Sequence, residues 1–352
     1  MAYAGTNFST PKLDGQALRR VTSKQLKENI FQNILAVPEK GVTEKFSTDV
    51  NASEIQIIRQ VAPAVAARQL GAVVNGGYFN SANPLVPQSV EYGIKLLYII
   101  DNQIDYPAVM DDMVSLPVAE ATNRSVAGIV ARNINASTLA HQLTAVINDQ
   151  VAGNTPNFVT MASATAAKEA LVSANVLLDD GDSANDIDAF PTDGRQAFIR
   201  PTLRGALMAS GQVIIGGSNY AQEMLAKGVI DKETYQRDTL TGYIGEVDGL
   251  PVVMMAKVVW DLAEDYMQLA TGKLDAIVGL VVAGMATGRA LAFNESVKII
   301  DCPRGQGKTA QYKYRWGVEV LNIKGIVPIY ATGKTYADVS STAITISAPA
   351  SH

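Results

Sequence analysis

Histidine and cysteine, the side chains on which most enzymatic bases, thiol nucleophiles and zinc sites depend, are nearly missing from this chain. Its 352 residues hold two histidines, His141 and His352, and one cysteine, Cys302. A single cysteine excludes an internal disulfide and fits a reducing compartment. Two histidines leave a Ser-His-Asp triad or a zinc centre almost no material. Charge is scarce too, at 18% of residues against about 25% in an average soluble domain. There is no basic run, and a net charge of -5 with a pI near 5.2 argues against a free nucleic-acid binder, which gathers Lys and Arg on one face. Met1 to Thr10 lacks the cationic start and apolar core of a secretory signal. The most apolar window, Ala276 to Ala286, is shorter than the about 20 residues of a membrane helix and reads as a buried core element.

What is present is ample core material: 47% of the residues are hydrophobic, enough for about two domains at this length. A surface so poor in charge points to extensive contact with other protein. Residues 1–52 keep no lasting period and read as an arm. From Ser53 the spacing predicts a helix, with Ser53 and Gln56 as a capping box, Ile55, Ile58, Ala62, Val65 and Gln69 on the helical step, and Gly71 as its end. Asn75 to Gln88 is then a run of turn formers, an irregular excursion of the kind a partner holds, and Val90 to Ile100 is strand-like. Ile129, Val130, Ile134, Leu139, Leu143, Val146 and Ile147 predict a long helix over Val126 to Val151, stopped by Gly153 and Pro156.

Further on, the pattern predicts a helix over Ala166 to Leu177, an acidic loop, and a strand from Ala197 to Arg200 broken by Pro201. Another helix is expected between Asn219 and Gly228. Asp248-Gly249 between two apolar runs predicts a β-hairpin, because both turn positions favour positive φ. Asp261 with Glu264 is expected to open a helix closed by Gly272 and Lys273. Tyr312, Tyr314, Trp316, Val318 and Val320 alternate with Lys313, Arg315, Gly317 and Glu319, giving a long strand with one apolar face. Gly325 and Pro328 are expected to interrupt before Ile329 to Ala331, and Thr332 to His352 shows no core of its own.

Candidate chemistry is thin. His141 and Cys302 could pair as base and nucleophile, but a lone His among apolar neighbours is far more often a packed side chain. Gly307-Lys308-Thr309 matches the end of a phosphate-cradling loop, which would make Lys308 and Thr309 the residues of a nucleotide hydrolase. The first glycine of that motif falls on Cys302, however, and the chain from Tyr312 onward alternates like a strand where a helix is required. Asp179, Asp180, Asp182, Asp186 and Asp188 form a carboxylate loop without the ligand spacing of a calcium hand, so a solvated loop is the plainer reading. Gly216 to Tyr220 begins like a nucleophile elbow but ends in Tyr. The Tyr312, Tyr314 and Trp316 stripe could stack nucleobases, but Lys313 and Arg315 point to the other face, so core packing or a subunit contact is expected. No catalytic, cofactor-binding or metal residue is assigned.

Three segments do carry a resemblance: Ala166-Ala-Lys-Glu-Ala-Leu171, Phe198-Ile-Arg-Pro-Thr-Leu203 and Gly242-Tyr-Ile-Gly-Glu-Val-Asp-Gly-Leu-Pro-Val252. Their order and chemistry resemble the centre of tailed-phage major capsid proteins with the Hong Kong 97-type fold, the last segment most specifically. The resemblance implies an α+β fold with an N-terminal arm over 1–52, a helix and extended E-loop over 53–114, and a spine helix of the peripheral domain over 115–154. An axial domain over 155–300 and a peripheral return strand and tail over 301–352 complete it. It also implies a structural protein, not an enzyme, that builds an icosahedral shell from hexamers and pentamers around phage double-stranded DNA. Such a chain sits in the virion after assembly in the bacterial cytoplasm, with no membrane contact and no cofactor. Scaffolding, portal and decoration proteins are its further partners, and Asn75, Gly76, Gly77, Tyr78, Phe79, Pro84 and Pro87 its candidate inter-subunit contacts. An encapsulin-like cellular compartment shares the fold and stands as the alternative.

Overall fold

The longest element is helix α1, Ser115–Val151, 37 residues and about 55 Å at 1.5 Å per residue. It belongs to a computed structural model that describes residues 34, 41–47, 53–61, 88–106, 115–181, 189–192, 194–209, 214–215, 242–284, 286–293, 298–301 and 308–348. The helix begins well before the predicted Val126: residues 115–125 carry no apolar period for the spacing to follow, and Pro117 falls in the first turn, where a missing N–H is tolerated. Gly153, at φ +86°, ends it as expected. Val130, Ile134, Leu139, Leu143, Val146 and Ile147 are buried as predicted, whereas Ile129 is 50% exposed. From Ile134 to Ala140 every residue is buried, so this stretch is covered on all sides.

Two sheets account for that cover. The larger has seven strands in the order β5 (Val159–Thr160), β14 (Ile326–Tyr330), β10 (Ile277–Ala283), β6 (Arg195–Ile199), β9 (Leu250–Met254), β8 (Tyr243–Val247) and β7 (Ile214–Ile215). In the second, β1 (Thr43–Ser47), β11 (Thr287–Phe293), β13 (Lys308–Val320) and β12 (Lys298–Asp301) lie in that order, with β4 (Tyr98–Tyr106) also paired to β13. The chain passes from the first sheet to the second between β10 and β11 and returns with β14. A separate antiparallel pair joins β2 (Glu54–Val61) to β3 (Gln88–Lys95). Helices α2 (Ala167–Asp179) and α3 (Pro201–Ala209) pack on the larger sheet, and α4 (Lys257–Tyr266) packs on α1.

Several expectations hold. The Asp248-Gly249 hairpin joins β8 to β9, with φ of +53° and +71° at its two turn residues. Pro201 does more than end β6: it opens α3, where its missing N–H costs nothing. The apolar window from Ala276 is the buried strand β10. Buried Arg195 on β6 ties the start of the acidic loop inward, donating to Asp179 Oδ1 at 2.6 Å, Asn175 Oδ1 at 2.8 Å and the Phe190 carbonyl at 2.6 Å.

Others are corrected. The segment after Ser53 is strand β2, not a helix: its β-branched residues pair along their whole length with β3. Gly71 and the helix predicted between Asn219 and Gly228 lie outside the described residues. Helix α4 starts at Lys257, so Asp261 and Glu264 fall inside it and do not cap it. Buried Glu264 instead reaches forward to accept from Gly272 N at 2.8 Å and Leu274 N at 2.7 Å, closing the turn Lys273–Ala276 onto the helix. Pro328 sits within β14, tolerated where β5 covers only Ile329 and Tyr330 on the far side. The tail is also integrated. Helix α5 (Tyr336–Val339) is opened by a capping box between Thr335 and Asp338. Asn148 of α1 then grips Ile344 twice, donating to its carbonyl at 2.9 Å and accepting from its amide at 2.6 Å.

Both side-chain anchors can be tested by removal. Replacing Glu264 with Ala strands two amides and should cost ~2–4 kcal/mol in urea unfolding, with Gln recovering part of the loss. Asn148→Ala should raise amide exchange across residues 336–348 with little change in β10, at a cost of ~1–2 kcal/mol.

Candidate assembly surface

The β2–β3 pair lies across the outer face of the smaller sheet, and residue size permits the crossing. Along β11 the side chains alternate: Arg289 and Leu291 point inward, while Ala290 and Ala292 face out and are buried by the strands that cross them. Opposite Ala290 on β13 stands Gly317. A Cβ at Gly317 would collide with the Lys95 carbonyl oxygen and lie 2.8 Å from its carbon. Ile55, Ile94 and Leu96 settle on Ala290 and Ala292 as a small second core apart from the main one. The Arg315 guanidinium fixes the contact by donating to the Leu96 carbonyl at 3.0 Å, while Leu96 N donates to the Ser53 carbonyl at 2.9 Å within the crossing segment.

Beyond Lys95 the chain makes an elbow into β4, and its side chains alternate strictly. Ile94, Leu96 and Tyr98 are buried, while Lys95, Leu97 and Ile99 face solvent. Leu97 is 66% and Ile99 51% exposed, an apolar ridge beside the crossing. Tyr98 turns inward to the centre of an aromatic group. It stacks on Trp316 with centroids 5.6 Å apart and meets Tyr266 and His141 edge-on at 5.3 and 5.8 Å. Its hydroxyl is 2.8 Å from His141 Nε2. Burial pushes Tyr98 up to about 12 and His141 down to about 4.

The candidate contacts Asn75, Gly76, Gly77, Tyr78, Phe79, Pro84 and Pro87 lie outside the described residues. Of the span around it, the β2–β3 ladder is described, from Glu54 opposite Lys95 to Val61 opposite Gln88, the last residue of the predicted excursion. Gly317, Ala290, Ala292 and Tyr98 were not singled out from sequence. Gly317 had a signal, since a glycine inside a strand marks a close backbone approach.

The other candidates separate cleanly. His141 is packed, bonded to Tyr98; Cys302 and Gly216 to Tyr220 lie outside the described residues. Lys308 and Thr309 are the first residues of β13, paired with Asp301 and Ile300 of β12. A phosphate loop must enter a helix there, so this geometry removes the hydrolase reading. Asp179 is held by Arg195, residues 182–188 lie outside the described set, and among the described residues no His, Cys, Asp and Glu group could hold a metal. Trp316 is buried and donates to Ser137 Oγ at 2.8 Å, which makes it core and no stacking platform for a base. No described helix is long and apolar enough to cross a membrane.

No family model matches the chain, and no curated protein matches it in sequence. Its fold does have solved counterparts. A chain in the capsid of Ralstonia phage GP4 aligns with a TM-score of 0.53 at 8% identity, over 87% of this chain and 92% of that one. The head structure of Helicobacter pylori bacteriophage KHP40 aligns at 0.52 and 10% identity, over 86% and 90%. The acidic stable capsid of Helicobacter pylori bacteriophage KHP30 aligns at 0.50 and 10%, again over 86% and 90%. The α+β fold is therefore one found in phage capsid structures, shared over nearly the whole length of both chains.

Gly317→Ala tests the crossing. It should cost ~1–3 kcal/mol through overpacking against Lys95 and open the segment 53–97 to limited proteolysis, while the β8–β9 hairpin stays protected.

Proposed function

We propose that this chain is a major capsid protein of the tailed-phage, Hong Kong 97 type, whose hexamers and pentamers close into an icosahedral shell around double-stranded DNA. The observation that carries this reading is the near full-length fold likeness to the capsid chain of Ralstonia phage GP4. Three features support it: a surface with few charges, an exposed apolar ridge at Leu97 and Ile99, and a hairpin base braced on the sheet beneath an excursion of turn-forming residues.

In this reading residues 1–52 are the N-terminal arm, 53–114 the E-loop segment and 115–154 the spine. Residues 155–300 are the axial domain, and 301–352 the peripheral return strand and tail. Asn75, Gly76, Gly77, Tyr78, Phe79, Pro84 and Pro87 reach a neighbouring copy. The physical work is assembly. Each chain buries several thousand Å² in obligate contacts, whose apolar part contributes about 25 cal/mol per Å² before ordering costs. The location is the virion, assembled in the bacterial cytoplasm with scaffolding, portal and decoration proteins as partners. A mildly acidic wall keeps packaged nucleic acid from adhering.

Electron microscopy of the expressed full-length chain, alone and with candidate scaffolding protein, should reveal closed shells; a chain that stays monomeric at every concentration and salt would sink the reading. Deleting Asn75 to Gln88 should leave the unfolding transition in place and abolish shells. Normal particles from that deletion would remove the excursion from assembly.

A further inference from the structure

The elbow between β3 and β4 is seated by Ile94 and Leu96 on the second core and by the first rungs of the β4–β13 ladder, and the side chain that ties it to α1 is Tyr98, which is 6% exposed. Its ring is enclosed by Trp316 of β13 and Tyr266 of α4, and its hydroxyl meets His141 of α1. His141 is the one histidine ahead of the C-terminal residue, so it is the only side chain of the body whose ordinary range lies between pH 5 and 8. We propose that the Tyr98–His141 contact is an acid-sensitive latch: protonation of His141 favours a locally opened state in which the elbow, residues 94–100, lifts from α1 and releases the base of the β2–β3 hairpin.

Charged groups on the packed elements, Glu264 of α4 and the inward-facing Arg289 of β11, are buried too, but neither contributes to the displacement of His141. From β4 it faces Tyr98, and from α4 the cluster contains Tyr266; both hydroxyls are pushed upward by burial and stay neutral in acid. β13 contributes Trp316, which does not titrate. On α1 the nearest charged residues, Arg132 and Asp149, stand more than two turns away to either side. Burial alone displaces His141, from 6.5 to about 4, with no contribution from a neighbouring charge. Among the described residues no carboxylate acts on His141, so its partly buried pocket offers an imidazolium less water than it has in the open.

The direction follows from linkage. In the opened state His141 takes its proton near its ordinary value, and in the closed state only near pH 4, so the opened state binds more protons between those limits. The closed elbow is stable above pH 6.5, loses stability as pH falls toward 4, and gains no further sensitivity below. At pH 5 the opening equilibrium should be about 30-fold larger than at pH 8. Opening detaches Tyr98 together with the first rungs of the β4–β13 ladder, from Tyr98 opposite Trp316 to Ile100 opposite Tyr314, and with them the Arg315 bond to the Leu96 carbonyl and the seat of Lys95 on Gly317.

The test is hydrogen exchange on the full-length chain, kept in one assembly state, at pH 8 and pH 5 and corrected for intrinsic exchange rates. The expected result is about a 30-fold rise in opening at residues 94–100 with β10 residues 277–283 unchanged, and loss of that rise in His141→Gln, which does not titrate. Three results would overturn the latch: flat protection at the elbow, a rise shared equally with β10, or a rise that persists in His141→Gln. Should that variant not fold, an NMR titration of His141 in the native chain decides. A midpoint well below 6.5 supports the latch, and one at 6.5 removes it.

Discussion

Complete burial of the middle of α1 sets the terms for everything packed around it. A helix so largely covered leaves few polar side chains to water; Thr138 bonds back to the Ile134 carbonyl, and several others find partners in neighbouring elements. Ser137 accepts from Trp316 of β13, and Gln142 donates to Thr287 of β11. Gln150 accepts from Tyr330 of β14, and Asn133 from Tyr266 of α4. His141 meets Tyr98 of β4, and Asn148 holds the tail at Ile344. Apolar packing would tolerate a helix slid or rotated by a fraction of a turn; these bonds would not. Two sheets, a helix and the tail are thereby registered on one axis.

The smaller sheet adds a second constraint, one of thickness. Another layer can lie on its outer face only where side chains do not stand in the way. Ala290, Ala292 and Gly317 clear that path, and Ile55, Ile94 and Leu96 fill it. The large residues of the same strands, Leu291, Trp316 and Val318, turn to α1 and the main core. The alternation visible along β13 thus separates a thick inner contact from a thin outer one. The residues that look polar or inert on the outer side are those that admit the hairpin.

Elements whose local chemistry agrees with their surroundings were legible in the sequence: the core of α1, α2, the Asp248-Gly249 hairpin and the alternating strand β13. The misreadings have a common physical source. Ile55 and Ile58 fit a helical step and a strand equally well, and the eight-residue pairing with β3, distant in sequence, decides between them. Glu264 has the spacing of a cap, yet the amides it satisfies belong to the turn after its own helix. The tail from Thr332 looked coreless because its anchor, Asn148, lies far back on α1. Of the candidate surface, the turn-rich excursion was plain as composition. Its footing was not, since Gly317 acquires its meaning only from a carbonyl brought there by another segment.

That footing asks for apolar side chains only at Ile55, Ile94 and Leu96; the rest of it is main chain. At Gly317 the sheet meets a main-chain carbonyl, Arg315 binds a second one at Leu96, and the β2–β3 ladder is backbone throughout. The last rung, Val61 opposite Gln88, presents two chain ends at the spacing of paired strands, about 5 Å. The socket is in effect generic: a segment of different length and sequence whose ends meet at that separation could be mounted on it without disturbing the sheet. The sheet thus constrains the spacing at which the chain is handed over at Val61 and Gln88 more than it constrains the residues that follow.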